Sequence, residues 1–79
     1  MKIKVKFFAS LRDRIGRAEE SLDFEGASVT VTVADVWSKV TEEPIPDGIL
    51  MAVNMEYTDG DHTLSEGDEV AFFPPVTGG

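Results

Sequence analysis

The chain contains no cysteine among its 79 residues. It therefore has no disulfide, no thiolate metal site and no internal thiol nucleophile, and any sulfur chemistry must use sulfur brought from elsewhere. A continuous apolar run is also missing from the N-terminus, where lysines alternate with apolar residues. That alternation excludes a signal peptide and a membrane span, so we expect a cytoplasmic protein without a membrane partner.

Positive charge is scarce beyond the start of the chain. The formal net charge is −8, and Lys39 is the only lysine or arginine after Arg17. An acidic surface is repelled by phosphate backbones, which argues against a nucleic-acid partner and favours a basic protein surface. The same charge also serves simply to keep a small domain in solution.

Catalytic constellations are absent from the sequence. There is one histidine, no serine with an evident base, and no glycine-rich phosphate loop, so we expect no enzymatic activity from this chain alone. His62 lies in a turn-rich stretch and is expected to be a solvated loop residue. The nearby carboxylates miss the spacing of a calcium loop and are interpreted as turn formers, which leaves no metal site and no cofactor bound by the chain. These carboxylates belong to Asp59, Asp61, Glu66, Asp68 and Glu69.

The first quarter of the chain predicts a strand followed by a short helix or turn. Residues 2–8 alternate strictly, with Ile3, Val5 and Phe7 on one face. Ser10 and Asp13 have the spacing of a capping box, and Gly16 can end the helix in a left-handed conformation.

A second strand is predicted around Leu22 and Phe24, which alternate with polar residues. The alternation of Val29 and Val31 is a possible extension after a bend at Gly26, so the pattern does not fix where this strand ends.

The main helix is predicted to begin after Thr32, which forms a second capping-box pattern with Asp35. Trp37 lies on its apolar stripe and is expected to anchor the core rather than to bind a ligand. The stripe follows helical spacing at Val33, Val36, Trp37 and Val40.

The rest of the chain predicts further short strands. Two prolines and a glycine between residues 41 and 48 must end the helix and turn the chain. An apolar run at 49–53 predicts a buried strand, and 69–73 predicts the last strand. One helix packed across a small mixed sheet would bury these faces, so we expect an α+β fold of the β-grasp, or ubiquitin-like, type over residues 1–73.

Residues 74–79 predict a projecting C-terminal arm. Pro74 and Pro75 cannot donate to a sheet ladder and favour an extended conformation. At roughly 3.3 Å per residue the arm would reach on the order of 20 Å. Gly78 and Gly79 have no Cβ, which suits insertion into a narrow channel. A terminal Gly-Gly alone is nevertheless more typical of a frayed chain end.

The whole chain resembles the family of molybdopterin synthase small subunits, sulfur carriers related to the thiamine-pathway carrier and to ubiquitin. The resemblance rests on FFASLR at residues 7–12, AVN at 52–54 and GDEVAFFPPVTGG at 67–79. The last block is highly specific, whereas residues 18–50 match only in pattern. The diproline arm favours the molybdopterin branch, because thiamine-pathway carriers generally lack it.

The resemblance implies that Gly79 is the working residue. An E1-like adenylating enzyme would use ATP to convert its carboxylate to an acyl-adenylate, which a sulfur donor would change to a thiocarboxylate. The tail would then enter the large synthase subunit, in a heterotetramer of two small and two large chains, and donate sulfur to a cyclic pyranopterin. The residues that would insert are Pro74, Pro75, Val76, Thr77 and Gly78.

Strand parity predicts a docking patch at the root of the tail. If Phe7 and Phe72 point into the core, Phe8 and Phe73 take the opposite face. The first and last strands of a β-grasp sheet are neighbours, so the two rings would lie together, with Tyr57 as a third member. The matching positions in the family face the large subunit.

Other functions stay open on the sequence alone. A ubiquitin-like modifier would use the same activated Gly79 to form an isopeptide bond. A sulfur carrier for thiamine or tRNA thiolation would share the fold and the Gly-Gly end. A plain binding module would not need a free C-terminus.

Overall fold

The computed structural model describes residues 1–25 and 30–75. Within these ranges the chain forms five strands and two helices. In chain order they are β1 (Lys2–Phe7), α1 (Ser10–Ile15), β2 (Glu19–Asp23), α2 (Val33–Val40), β3 (Leu50–Val53), β4 (Glu56–Thr58) and β5 (Glu69–Phe73). Neither helix in this part of the chain is both long and apolar enough to cross a membrane.

The strands form one mixed sheet in the order β2-β1-β5-β3-β4. β1 and β5 run parallel at its centre, and the other neighbours pair antiparallel. Helix α2 packs on one face, where the Trp37 ring meets Phe72 edge-on with their centroids 5.0 Å apart. The predicted β-grasp fold is confirmed.

The core follows the two-residue period of β1 and β5. Ile3, Val5 and Phe7 are buried on the helix-facing side, as their alternation with lysine predicts. Val70 and Phe72 extend the same side across β5. Trp37 is 1% exposed, which confirms its predicted role as a core anchor, and its indole Nε1 donates a 2.8 Å hydrogen bond to the Glu43 carbonyl.

Helix α2 begins with the predicted capping box. The Thr32 hydroxyl accepts a hydrogen bond from the Asp35 backbone N–H at 3.3 Å, and the Asp35 carboxylate accepts one from the Thr32 N–H at 2.9 Å. The helix ends at Val40, before the prolines.

The capping box predicted for Ser10 and Asp13 is wrong. Helix α1 is preceded by Ala9, and no side-chain hydrogen bond caps it. Ala9 has φ 52° and ψ −127°, and the Leu11 N–H donates to the Phe8 carbonyl at 3.1 Å. A tight backbone turn therefore starts the helix instead of a side-chain cap. At its other end Gly16 is left-handed, as predicted, with its N–H donating to the Arg12 carbonyl.

Strand β2 ends at Asp23, so Phe24 is not part of the ladder with β1. The Phe24 N–H instead donates to the Met1 carbonyl at 2.7 Å, and the Phe24 carbonyl accepts from the Met1 amino group. Val31 is buried in the core but lies outside any strand. The bend predicted at Gly26 and the extension at Val29 lie outside the described residues.

Strand β4 was not predicted separately. It pairs with β3 through a two-residue turn in which Asn54 and Met55 both have positive φ, 50° and 71°. Such turns usually contain glycine, and none stands here to indicate the hairpin. Asparagine tolerates the left-handed conformation. Asn54 also contacts the start of β5: its backbone N–H donates to the Glu69 carbonyl at 2.8 Å, and its side-chain oxygen accepts from the Glu69 N–H at 3.0 Å.

Thr32→Val is expected to lower the free energy of unfolding by about 1 kcal/mol, because it keeps the shape of the side chain but removes the oxygen that caps α2. Urea denaturation measures the change. Ser10→Ala is the control and should stay within about 0.5 kcal/mol of the parent, since no side chain caps α1. Equal losses in the two variants would contradict this account of the helix starts.

Candidate functional site

The outer face of the sheet, opposite α2, presents aromatic side chains at one end. Phe7 and Phe72 are paired across the parallel β1–β5 ladder and are buried on the inner side. Their successors Phe8 and Phe73 therefore point to the outer side, because side chains alternate along a strand. The parity argument from the sequence is confirmed for both residues.

Phe8, Tyr57 and Phe73 form one cluster, the aromatic patch. The Phe8 and Phe73 rings stack with their centroids 4.6 Å apart and their planes 8° from parallel. Tyr57 meets Phe73 edge-on at 6.2 Å. Phe8 is 41% exposed and Tyr57 is 73% exposed. The predicted cluster exists, and its role in docking stays a prediction.

Two alanines shape a shallow hollow beside the patch. Ala52 is paired with Tyr57 on one side and with Ala71 on the other. Their small side chains leave a hollow of about 240 Å³ between Tyr57 and Lys6 on the outer face. The surface that surrounds it is mostly apolar carbon, which is the usual character of the centre of a protein–protein interface.

One ion pair lies at the edge of this hollow. The Lys6 ammonium is 3.0 Å from the Glu69 carboxylate. The hydrogen bond to Glu69 and its negative charge raise the pKa of Lys6 above its ordinary value. Because the pair is open to water it adds little to stability, but it places one charge of each sign beside the aromatic patch.

The root of the predicted tail adjoins the same patch. Pro74 and Pro75 follow β5 directly and line a second hollow together with Phe8, Tyr57 and Phe73. The patch and the beginning of the arm are therefore continuous. The other residues assigned to the tail, Val76, Thr77, Gly78 and Gly79, lie outside the described residues.

The turn-forming interpretation of the acidic loops is confirmed for Asp59 and Asp68. The Asp59 carboxylate accepts from the Asp61 N–H at 3.0 Å. The Asp68 carboxylate accepts from the Ser65 N–H at 2.8 Å and from the Asn54 amide at 2.9 Å. These hydrogen bonds hold the pKa of Asp68 below its ordinary value.

His62 is exposed in its loop, and its backbone carbonyl accepts from the Val33 N–H at the start of α2. Over residues 1–25 and 30–75, no three His, Asp or Glu side chains are grouped as a metal site would require.

Met55 is a surface residue that sequence reasoning missed. Its side chain is 92% exposed, its φ is 71°, and it lines the hollow beside Tyr57. A large apolar side chain that is both strained and unburied does not help the fold. The available signal was a bulky apolar residue directly after Asn54, in a position that a tight turn usually gives to glycine.

Comparison with known proteins gives a consistent assignment. The family described as the ThiS family matches residues 5–79. The chain is 43% identical to the molybdopterin synthase sulfur carrier subunit of Escherichia coli, with 98% of this chain and 99% of that protein covered.

Solved structures with a similar fold include a small archaeal modifier protein and a chain of a molybdopterin-converting factor. SAMP1 from Haloferax volcanii, a small archaeal modifier protein, superposes with a TM-score of 0.79 at 26% identity, with both chains fully covered. A chain from the complex of subunits 1 and 2 of the molybdopterin-converting factor of Helicobacter pylori superposes with a TM-score of 0.67, again over both whole chains. Its identity is 20%, so this second likeness concerns the fold alone.

Replacing Phe8 and Phe73 together by Ser should leave the isolated domain folded, because Phe8 is exposed and Phe73 half-buried on the outer side, and their stack is worth about 1 kcal/mol beyond area burial. Circular dichroism and thermal melting measure the outcome. The control is the neighbouring pair, Phe7→Ser with Phe72→Ser, which lies on the inner side and should unfold the domain, at about 3 kcal/mol or more for each ring. Unfolding of both double variants would mean that the patch belongs to the core.

Met55→Gly should raise the free energy of unfolding by roughly 0.5–1 kcal/mol, since relief of the left-handed strain exceeds the entropy that glycine adds to the unfolded chain. Met55→Ala is the matched control: it removes the same side chain, keeps the strained φ and should change stability by less than about 0.5 kcal/mol. A gain in the alanine variant equal to that in the glycine variant would show that strain at position 55 is not the cause.

Proposed function

The chain belongs to the ThiS family, and from this membership we propose that it is the sulfur-carrier subunit of a molybdopterin synthase, acting through the carboxylate of Gly79. The observation that supports this most strongly is the 43% identity, over nearly the full length of both chains, to a protein with that description. The aromatic patch at the root of the diproline arm supports it independently, because a carrier needs a docking surface next to its reactive end.

The proposed reaction begins with activation of the chain end. An E1-like adenylating enzyme transfers AMP from ATP to the Gly79 carboxylate, and pyrophosphate leaves. A donor then supplies sulfur at the oxidation level of sulfide, which attacks the acyl carbon; a carbon–sulfur bond forms, and AMP leaves with the oxygen that it shared with that carbon. The product is a thiocarboxylate, whose sulfur is a far better nucleophile than the carboxylate oxygen that it replaces.

The second stage takes place in the large subunit of the synthase. The thiocarboxylate enters a pocket of that subunit, where its sulfur forms a bond to a cyclic pyranopterin monophosphate. Water then cleaves the bond between the acyl carbon and the sulfur, which restores the Gly79 carboxylate, and two carriers in succession supply the two sulfurs of the dithiolene. A heterotetramer of two small and two large chains, in the cytoplasm, would perform this reaction. The cofactor precursor, the ATP and the catalytic pocket belong to the partners, since this chain has no cysteine and no evident nucleophile–base pair.

The aromatic patch is the proposed docking site for the large subunit. Buried aromatics commonly act as interface anchors worth roughly 2 kcal/mol or more each. The double variant with serine at positions 8 and 73 should therefore bind the large subunit far more weakly while staying folded. The negative net charge of the chain favours a basic surface on the partner.

The likeness to SAMP1 makes a protein modifier the second candidate. A modifier would use the same activated Gly79 but would transfer it to a lysine of another protein. The carrier function is favoured because the chain is 43% identical to the Escherichia coli sulfur carrier subunit but only 26% identical to SAMP1.

One experiment separates the two candidates. The full chain is incubated with ATP, an adenylating enzyme and a sulfur donor, and its intact mass is measured. The gain expected from replacing one oxygen by one sulfur supports the carrier. A ladder of conjugates with other proteins supports the modifier, and an unchanged mass in the presence of an enzyme that activates a known carrier contradicts both.

Deleting Gly79, or adding one residue after it, should abolish the mass gain and sulfur transfer, because the reacting carboxylate is then misplaced or belongs to another residue. The melting temperature should be unchanged, since the end of the chain is expected to add little to the core. The control adds one residue before Met1, which should leave transfer intact. Normal cofactor synthesis by the shortened chain would refute a role for Gly79.

A further inference from the structure

The loop before β3 contains a tight turn at residues 46–49. Its Ile49 N–H donates to the Pro46 carbonyl at 3.4 Å. Gly48 has φ +82°, a left-handed conformation that side chains with a Cβ rarely adopt. The turn leads directly into β3, whose first residue, Leu50, is paired with Phe73 at the end of β5. The turn therefore lies next to the point where the chain leaves the sheet.

Gly48 lies directly against Pro75. A Cβ built on Gly48 would be 3.1 Å from the Cβ of Pro75 and 3.5 Å from its Cγ. The first distance is shorter than ordinary van der Waals contact, so any other residue at position 48 would have to displace the proline ring by a few tenths of an ångström. Pro75 can take its position because Gly48 has no side chain there.

The contact between Gly48 and Pro75 matters because a proline cannot donate a backbone hydrogen bond to a neighbouring strand. Neither Pro74 nor Pro75 has a backbone N–H to donate, so packing against neighbouring atoms must orient them. Phe73, which directly precedes the two prolines, is held in position by its stack with Phe8. The root of the arm is therefore bounded by an aromatic ring on one side and by a bare glycine backbone on the other.

We propose that Gly48 is a positioning residue that sets the direction in which the C-terminal arm leaves the domain. This inference rests on the proposed function, in which Gly79 must reach the active site of a partner while the patch is docked. Gly79 lies four residues beyond Pro75, or about 13 Å when extended. A turn of about 10° at the root moves the end by about 2 Å, and a misplacement of about 1 Å at a reacting group can cost up to about 100-fold in rate.

The chain offers a matched control for this proposal. Gly67 has φ +83°, almost the same as Gly48, but a Cβ built there meets nothing within 4 Å. It precedes β5 at the end of that strand opposite to Phe73. Gly48→Ala and Gly67→Ala therefore introduce the same backbone strain, and only the first pushes against the arm.

The kinetic test compares both alanine variants as substrates of the adenylating enzyme, with pyrophosphate release as the readout. Gly48→Ala should lower kcat on the order of tenfold below Gly67→Ala, with KM unchanged, because the rest of the surface of the domain is the same in both variants and only delivery of the carboxylate differs. Equal kcat values in the two variants, or a change confined to KM, would overturn the proposal. Thermal melting should show the same loss of stability in both.

A double-mutant cycle isolates the contact itself. Pro75→Gly removes the ring atoms that the new Cβ would meet, so adding Gly48→Ala to it should change kcat no more than Gly67→Ala does in the same background. An undiminished tenfold effect in the absence of the proline ring would show that Gly48 acts by some other route.

A measurement on the free protein keeps this proposal separate from the proposed function. The full chain should show a nuclear Overhauser effect between the Gly48 Hα protons and the Pro75 Hβ protons, without any partner present. Failure of the parent chain to become adenylated would refute the proposed function, whereas absence of this effect would refute the positioning role of Gly48 by itself.

Discussion

The parallel pairing of β1 with β5 is the constraint on which the rest of the molecule depends. It places Phe7 beside Phe72 on the side that α2 covers. Since the side chains of a strand alternate, the next residue of each strand must then emerge on the open side. A single register thus determines both the core and the aromatic patch, and a slip by one residue would exchange them.

The open side of the sheet combines apolar area with limited charge. The small side chains of Ala52 and Ala71 leave a hollow at the centre of this face. The larger side chains of Tyr57 and Phe73 lie at the edge of that hollow. The Lys6–Glu69 pair neutralises its own charges there. A face of this kind suits a protein partner that makes a reversible apolar contact.

The elements that could be predicted from the sequence are those with strong local patterns. β1, β5 and α2 have strict periodicity or a capping box, and the structure confirms them with nearly the predicted bounds. β4 was missed because its turn has Met55 after Asn54, where such turns usually have glycine, and a methionine does not indicate a left-handed conformation. The predicted start of α1 was wrong for a similar reason, since an alanine gives no sign of a positive φ.

The aromatic patch could be predicted from strand parity. The contact of Gly48 with Pro75 could not, because it joins parts of the chain that are distant in sequence. The role proposed for Gly79 depended on resemblance, because the local sequence by itself predicted only a projecting arm.

The central position of β5 has a consequence for the order of folding. Lys4 of β1 is paired with Glu69 of β5, so this pairing must close a loop that includes most of the domain, whereas β1 and β2 are joined by a short connection. The β1–β2 pair is therefore expected to form early, with the other edge of β1 unpaired until β5 joins it. Phe8 and Phe73 can stack only after that step, so the aromatic patch is completed together with the centre of the sheet.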